Sequence, residues 1–220
     1  MALLSPHDQQ TLRGMFDDMK QQVTLLFFTQ MFDCETCDET KRILAELTEV
    51  TDRIVVDEVT LVLDKERAAA YGIDRAPSLV LLTGGEDTRI RFLGAPAGYD
   101  FMAMVDAILA VSGASDTELS KDSVALVSAV TEPTAIQIFV TPTCVYCPRA
   151  VALANRMAFL NPNITASTVV ATEFYELAEK FRVTGVPKTV VNGSIEVLGA
   201  LPEPEYVRAL LGITDEAVPG

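Results

Sequence analysis

Apolar positions recur along this chain in patterns that predict alternating helices and strands. In residues 8–20 they fall every three or four positions, which is typical of an amphipathic helix. An uninterrupted apolar run at residues 23–28 follows and predicts a buried strand. The rest of the first half continues the alternation, with a helix at 37–50, a strand at 54–63, a helix at 65–71, strands at 78–82 and 89–93, and a helix at 98–111.

The second half of the chain repeats the same order of elements. In each half a turn-forming pair, Gly84-Gly85 or Asn192-Gly193, separates the last two strands and indicates a β-hairpin. These patterns predict two α/β units, residues 1–115 and 116–220, each with a central mixed β-sheet flanked by helices, and a polar joint at 112–117. The predicted elements of the second unit are a helix at 118–130, a strand at 135–140, a helix at 147–159, a strand at 164–170, a helix at 173–181, strands at 189–191 and 195–198, and a helix at 203–211.

Cysteine and proline positions show that the chain is an internal duplication. The pairs Cys34/Cys37 and Cys144/Cys147 have the same Cys-x-x-Cys spacing, and the second follows the first by 110 residues, half the chain length of 220. A proline, Pro77 or Pro187, follows the first cysteine of each pair by 43 residues. Agreement in apolar pattern, cysteine spacing and proline spacing favours a repeated supersecondary unit.

Composition places the protein among ordinary globular chains and excludes some partners. Apolar residues make up 49% and charged residues 22% of the sequence. The formal net charge of -14, without a basic cluster, argues against a nucleic-acid partner. The apolar runs are too short to span a bilayer, and residues 1–20 lack the features of a secretory signal, so we expect no membrane partner and a cytoplasmic location.

Cysteines in close pairs in such a chain indicate either redox or metal chemistry. One Cys-x-x-Cys is also half of a zinc site, and the two pairs together could form a four-cysteine site. The 106 residues between Cys37 and Cys144, and the separate strand and helix around each pair, argue against shared zinc. We therefore expect two redox sites with no metal and no cofactor.

A strand, a Cys-x-x-Cys at the start of a helix, and a proline before a hairpin together resemble the thioredoxin/glutaredoxin superfamily. Three segments, residues 140–148, 73–77 and 94–98, resemble the two-unit protein disulfide oxidoreductases (glutaredoxin-like proteins) known chiefly from thermophilic archaea and bacteria. The resemblance implies tandem thioredoxin-like folds, dithiol–disulfide exchange on protein disulfides, and a thioredoxin-reductase-like flavoprotein as electron donor. Less closely, the chain resembles the tandem-thioredoxin part of alkyl hydroperoxide reductase flavoproteins, which keep only one intact cysteine pair.

Disulfide exchange requires an attacking thiolate and a resolving thiol close behind it. The first cysteine of each pair lies at a predicted helix N-terminus, where backbone N–H groups and the helix dipole favour a negative charge. We therefore predict that Cys34 and Cys144 are the nucleophiles. Cys37 and Cys147, one turn later, are the predicted resolving residues.

The resemblance also assigns a role to the two prolines. In the superfamily the matching proline is cis and faces the cysteines, and the residue before it presents backbone groups to an extended substrate. This implies substrate-binding roles for Ala76, Pro77, Val186 and Pro187, against the alternative of ordinary trans prolines at strand edges. Tyr146, between the second pair of cysteines, is a further candidate for the substrate-binding face, or else only a partly exposed aromatic residue.

The two predicted sites differ in charge. Asp33, Glu35 and Asp38 surround the first pair, and carboxylates disfavour a nearby thiolate. The second pair has no neighbouring acid and has Arg149 close by, so we expect Cys144 to be the more acidic thiol and its pair the more oxidising. The alternative is that solvent screens the exposed acids and leaves the sites alike.

Single-unit thioredoxins place a buried acid six residues before the first cysteine, whereas this chain has Phe28 and Ile138 there. Any proton acceptor must come from elsewhere, and Asp57 and Glu173 are the candidates. We expect a protein disulfide oxidoreductase. The alternatives are an electron relay between a flavoprotein reductase and a peroxidase, and a non-catalytic binding module, although four intact cysteines argue against the latter.

Overall fold

The computed structural model describes residues 3–114 and 119–213. Its contacts divide the chain into a first unit, Met1–Pro96 with Met104–Asp116, and a second unit, Ala97–Ala103 with Thr117–Gly220. The predicted joint at 112–117 and the predicted helix start at 118 fall in part on residues 115–118, which lie outside the described residues. Within the described ranges, no helix combines the length and the apolar character needed to cross a membrane.

The first unit opens with helix α1 (Pro6–Phe16), which begins and ends earlier than its apolar pattern predicts. It begins early because Ser5 and Asp8 form a reciprocal capping box around the first turn. After Phe16 the chain tightens, and the N–H of Met19 donates to the carbonyl oxygen of Phe16. Met19 is buried although it lies beyond the end of α1, so the apolar pattern continued past the helix because this side chain packs in the core.

The sheet of the first unit has the strand order β2-β1-β3-β4. Strand β1 pairs in parallel with β2, with Thr29 opposite Thr60, and antiparallel with β3, with Phe28 opposite Ser78. The ends of β1 and β2 and the start of β3 therefore lie at one edge, the first carboxyl edge. The elements are β1 (Val23–Thr29), α2 (Cys37–Val50), β2 (Ile54–Thr60), α3 (Lys65–Ala70), β3 (Ser78–Thr83) and β4 (Glu86–Leu93).

Apolar side chains on one face of this sheet form a buried cluster that fixes its strands and the segment after α3. Its members come from β1, β2, β3, α3 and the segment after α3, with Leu61 and Tyr71 packed against them. Strand β2 ends at Thr60 rather than at residue 63, because residues 61–63 turn toward α3. The buried members are Leu26, Phe28, Val59, Ala68, Ile73, Val80 and Leu82.

The second unit repeats the arrangement, with the order β6-β5-β7-β8 and the same strand directions. In this sheet the second carboxyl edge is the edge where β5 and β6 end and β7 begins. Helix α4 (Tyr99–Val111) contributes its first turn to this unit. The remaining elements are α5 (Lys121–Ser128), β5 (Thr134–Val140), α6 (Cys147–Leu160), β6 (Ile164–Val170), α7 (Tyr175–Lys180), β7 (Lys188–Val191), β8 (Ile195–Leu198) and α8 (Glu203–Leu210).

The structure confirms the predicted fold class of tandem α/β units with mixed sheets. It also confirms both hairpins, with a two-residue turn at Gly84 and Gly85 and a three-residue turn at residues 192–194. Gly84, Gly85, Asn192 and Gly193 all have positive φ angles, which are typical of hairpin turns. Helix α7 begins two residues later than predicted, because residues 171–174 form the turn that follows β6.

Candidate active sites

The first cysteine pair lies in the loop between β1 and α2, at the first carboxyl edge. Cys34 and Cys37 form a disulfide with Cα atoms 5.5 Å apart, and Cys37 is the first residue of α2. Cys34 is half-buried whereas Cys37 is only 5% exposed. A partner sulfur therefore has access to Cys34 and not to Cys37.

The second pair has the same arrangement at the second carboxyl edge. Cys144 and Cys147 form a disulfide with Cα atoms 5.4 Å apart, and Cys147 opens α6 and is fully buried. The backbone N–H of Cys147 donates a hydrogen bond to Sγ of Cys144 over 3.1 Å. An N–H group aimed at this sulfur stabilises negative charge on it in the reduced state.

Both prolines lie at the same edges as the cysteines. The Ala76–Pro77 and Val186–Pro187 bonds are cis, so the alternative of ordinary trans prolines is wrong at both positions. Each proline is buried at the start of the strand that pairs with the end of β1 or β5, and the residue before it is half-buried. Each proline carbonyl accepts a hydrogen bond from a glycine beyond the next strand, Gly94 at 2.9 Å or Gly199 at 2.8 Å.

A buried cation anchors the segment that leads to each cis proline. In the first unit Nε of Arg91 donates to the carbonyl oxygen of Tyr71 at 3.2 Å, and in the second unit Nζ of Lys188 donates to that of Phe181 at 2.7 Å. Tyr71 and Phe181 are the C-caps of α3 and α7 and are 110 residues apart. The two carbonyl groups occupy equivalent positions, but the hydrogen-bond donor comes from strand β4 in the first unit and from strand β7 in the second.

The residues inside and beside the Cys-x-x-Cys loops are mostly exposed. Tyr146 is 70% exposed, so its ring is available to a partner. Asp33, Glu35 and Asp38 are exposed around the first pair, and Arg149 is exposed beside the second. The charge difference inferred from the sequence is therefore present at the surface, and its effect on the cysteine thiols remains a prediction.

Neither acid that the sequence offered as a proton acceptor is buried. Asp57 is 43% exposed and forms an ion pair with Arg67. Glu173 is half-buried in the turn after β6. In the part of the chain that the structure describes, the acid that is buried is Asp100 in the first turn of α4, which is 1% exposed.

Asp100 is held in an unfavourable environment for a charge. Among the described residues, neither of its carboxyl oxygens finds a hydrogen-bond partner. Burial raises the pKa of Asp100 to about 7, and repulsion from Glu173 adds to this effect. A carboxyl group with such a pKa exchanges its proton near neutral pH.

A close backbone contact brings Asp100 to the second carboxyl edge. The N–H of Tyr99 donates to the carbonyl oxygen of Pro142 at 2.9 Å, two residues before Cys144. Gly98 precedes it with a φ of +58°, and a Cβ at this position would collide with the same carbonyl. Glu173, which repels Asp100, follows β6 at this edge.

Helical phase was the signal in the sequence that could have found Asp100. Ala103, Met104 and Ala107, at three, four and seven positions beyond it, are all buried. A carboxyl group on this apolar stripe contradicts the amphipathic pattern, which marks it as a candidate functional residue.

The described parts of the chain, 3–114 and 119–213, contain no cluster of three or more His, Cys, Asp or Glu side chains able to hold a metal ion. All four cysteines are in disulfides, each within its own unit. The four-cysteine arrangement considered from the sequence is therefore not formed.

Comparison with known proteins agrees with this geometry. The thioredoxin domain family model matches residues 134–212. An alkyl hydroperoxide reductase protein of Staphylococcus epidermidis is 30% identical over 185 residues, which cover 80% of this chain and 34% of that protein. Its counterpart in Staphylococcus aureus is 29% identical over the same length. The chain thus spans about a third of the length of these curated relatives.

Several solved structures match nearly the whole chain, and two of them show the range of relatives. The N-terminal domain of alkyl hydroperoxide reductase from Enterococcus faecalis is 29% identical with a TM-score of 0.87, over 94% of this chain and 99% of that one. A protein disulfide oxidoreductase from Aeropyrum pernix is 25% identical with a TM-score of 0.86, over 94% and 91%. The chain belongs to the thioredoxin-fold disulfide oxidoreductases. Thiol–disulfide exchange is accordingly its chemistry, and in this oxidoreductase both units keep a cysteine pair.

Proposed function

We propose that this chain is a protein disulfide oxidoreductase that exchanges dithiols and disulfides with client proteins at both cysteine pairs. One observation carries the proposal: each unit has a half-buried first cysteine in a disulfide, at a helix start and at the same sheet edge as a cis proline. Neither a metal site nor a purely structural disulfide requires an accessible first cysteine, a helix start and a neighbouring cis proline together, and this chain has all three features in both units.

In the reducing direction, the thiolate of Cys144 attacks one sulfur of a client disulfide. The client disulfide breaks, a mixed disulfide forms, and the other client sulfur leaves as a thiolate that takes up a proton. Cys147 then attacks Sγ of Cys144, which closes the Cys144–Cys147 disulfide and releases the second client thiolate. The pair loses two electrons and the client gains them. Cys34 and Cys37 play the same parts in the first unit.

The buried thiol of Cys147 must lose its proton before it attacks. We propose Asp100 as the acceptor at the second site, because its carboxyl group is buried at that edge and its pKa of about 7 makes it half ionised near neutral pH.

The cis-proline segments and Tyr146 are the proposed substrate contacts. Ala76 and Val186 are half-buried immediately before buried cis prolines, so their backbone groups lie at the same edge as the cysteines. Tyr146 offers an exposed ring between the second pair of cysteines. An extended client segment could pair with this backbone while its sulfur meets Cys34 or Cys144.

The proposed electron donor is a thioredoxin-reductase-like flavoprotein, as the sequence resemblance implies. A second function, electron relay from such a flavoprotein to a peroxidase, is favoured by one specific observation. The chain matches 99% of the N-terminal domain structure of an alkyl hydroperoxide reductase. Client proteins and a peroxidase are thus alternative acceptors for the same dithiol.

Two assays with one preparation distinguish these acceptors. The dithiol-reduced protein is mixed with insulin, and the turbidity of the released chains is followed. It is also supplied to a two-cysteine peroxidase with hydrogen peroxide, and consumption of the dithiol is measured. A variant with all four cysteines replaced by serine is the control. Reduction of insulin at a rate above that control supports the first function, whereas exclusive activity with the peroxidase supports the second.

A further inference from the structure

Four apolar side chains near the first cysteine pair are exposed to solvent. Met31 is 87%, Phe32 is 76%, Val62 is 59% and Leu63 is 80% exposed. Large apolar side chains exposed together mark interaction sites in soluble proteins. We call these four residues the apolar rim.

The sheet register brings the apolar rim together. Thr29 and Thr60 end the parallel strands β1 and β2 opposite each other, and the N–H of Leu61 donates to the carbonyl oxygen of Thr29 at 2.9 Å. Met31 and Phe32 follow the first of these strand ends, and Val62 and Leu63 follow the second. All four therefore lie at the first carboxyl edge with Cys34 and the cis proline Pro77.

The fold itself does not require this apolar rim. At the corresponding positions of the second unit, 110 residues later, the chain has Thr141, Pro142, Thr172 and Glu173. There the carbonyl oxygen of Pro142 accepts a hydrogen bond from Tyr99. The two carboxyl edges therefore present different surfaces around equivalent cysteine pairs.

Charge around the apolar rim is predominantly negative. The exposed acids in the same loops and in the first turns of α2 and α3 outnumber the bases. Arg75, the cation just before Ala76 and Pro77, is paired with Asp74, at 2.7 Å from Nε to Oδ1. Lys65, the first residue of α3, is an exposed base next to the exposed Asp64 and Glu66. The exposed acids are Asp33, Glu35, Asp38, Asp64 and Glu66.

We propose that the apolar rim is a docking surface for an extended polypeptide segment rich in apolar and basic residues, as found in unfolded clients. Apolar residues of such a segment would cover the rim, its cations would face the acids, and its backbone would reach Ala76 and Pro77 beside Cys34. Folded proteins bury most large apolar side chains, so an unfolded chain is the partner that can supply these contacts. The inference rests on the proposed function, because the docked sulfur is the one that Cys34 attacks.

Binding is tested without redox chemistry, in a Cys34→Ser/Cys37→Ser background. The probe is a fluorescein-labelled, cysteine-free peptide of interspersed leucine and lysine, and its anisotropy gives Kd. Two matched peptides replace either the leucines by serine or the lysines by glutamate. We expect both replacements to weaken binding, and the lysine-dependent part to diminish at high salt, since exposed charges are screened there.

Variants of the protein locate the binding surface. Met31→Ser/Phe32→Ser and Val62→Ser/Leu63→Ser should each weaken binding of the leucine–lysine peptide about 10-fold or more, which corresponds to about 1.4 kcal/mol. The control is Phe159→Ser/Leu160→Ser in the second unit, because both residues are 42% exposed and lie at the opposite end of α6 from Cys147. Circular dichroism checks that each variant is folded.

Three outcomes would overturn the docking proposal. The first is equal affinity for all three peptides, and the second is an unchanged Kd in both rim variants. The third is concentration-dependent self-association of the wild type that the rim variants abolish, because the rim would then be covered by a second copy of this chain. Failure of the wild type to reduce insulin, with peptide binding intact, would instead reject the proposed function and leave the docking surface in place.

Discussion

The backbone N–H of Cys147 lies 3.1 Å from Sγ of Cys144 and donates a hydrogen bond to it. This donor belongs to the first residue of a 14-residue helix, so the helix dipole adds to the same stabilisation of negative sulfur. Exposed acids crowd the loop around Cys34, whereas the exposed Arg149 lies beside the second pair. Helix α2 is also 14 residues long and starts at Cys37, so the dipole is common to both sites, and the difference in neighbouring charge is what favours the thiolate of Cys144 over that of Cys34.

The first prediction follows for a small disulfide, which needs no docking surface. Replacing Cys144 and Cys147 with serine should remove most reduction of glutathione disulfide, and the same change at Cys34 and Cys37 should leave more than half. The thiol with more thiolate at ambient pH both attacks and leaves more readily. Stopped-flow rates at low and high salt measure this. A larger loss with the Cys34/Cys37 variant would contradict the electrostatic argument.

Asp100 gives the second prediction, which concerns the pH dependence of the second site. Only the ionised carboxyl group accepts a proton, so the resolving step by Cys147 should accelerate as pH rises through about 7, the pKa of Asp100. Asp100→Asn should flatten this profile and slow the step about 100-fold or more at pH 7, which begins at the lower end of the range ascribed to general bases. Single-turnover decay of a Cys144 mixed disulfide in the Cys34→Ser/Cys37→Ser background measures it. An unchanged profile in Asp100→Asn would exclude Asp100 as the acceptor.

The same group makes the third prediction, on stability. Between pH 4 and 7 the unfolded chain has released the proton of Asp100 while the folded chain still holds it, because burial raises the pKa from 3.8 to about 7. The unfolded state then binds fewer protons, so the free energy of unfolding should fall with rising pH, by on the order of 4 kcal/mol at most from this group.

Asp100→Asn should remove this decline, and urea unfolding of the oxidised protein at pH 4, 5.5 and 7 measures the difference. The comparison is made between the slopes of the two proteins, since other groups contribute equally to both. If the wild type and Asp100→Asn lose stability with pH in parallel, Asp100 does not carry the raised pKa.

A fourth prediction concerns the contact that positions Asp100. Gly98→Ala should destabilise the second unit by about 1–3 kcal/mol, because the new Cβ meets the carbonyl oxygen of Pro142 and alanine disfavours a φ of +58°. Gly14→Ala is the matched control: it lies inside α1 with no atom within 4 Å of the new Cβ, so it should be neutral or stabilising by up to about 1 kcal/mol. Thermal unfolding compares the two, and equal effects would contradict the role of the contact.

The cations behind the cis prolines supply the fifth prediction. Lys188→Met removes the donor at 2.7 Å from the carbonyl oxygen of Phe181 and the partner of Glu196, and should cost about 1–3 kcal/mol. It should also slow exchange at the second pair by loosening the segment before Pro187. Lys188→Arg retains a cationic donor and should restore part of both properties. Equal urea midpoints and exchange rates for wild type and Lys188→Met would contradict the anchoring role.

Local patterns were sufficient to predict most elements of both units. The apolar period and the turn residues identify each helix, strand and hairpin, since these depend on neighbours a few positions apart. The 110-residue repeat of Cys34 and Pro77 in Cys144 and Pro187 predicted the duplicated architecture, whereas the family was predicted from the resemblance of short segments to known sequences. Element ends were less accurate, as at α1, because the capping box at Ser5 and the turn after Phe16 override the apolar pattern.

The sequence by itself therefore determined the two units, the cysteine pairs and the prolines, all of which are readable as spacings. The apolar stripe of α4 marks Asp100 as an unusual position, but only the tertiary structure placed this acid at the second carboxyl edge, because that placement depends on Tyr99 meeting Pro142, 43 residues later along the chain. It also decided that Met31 and Leu63 are exposed rather than core residues, because the strand register turns both loops toward solvent at one edge. Contacts between distant segments depend on the packing of whole elements, and no local period encodes them.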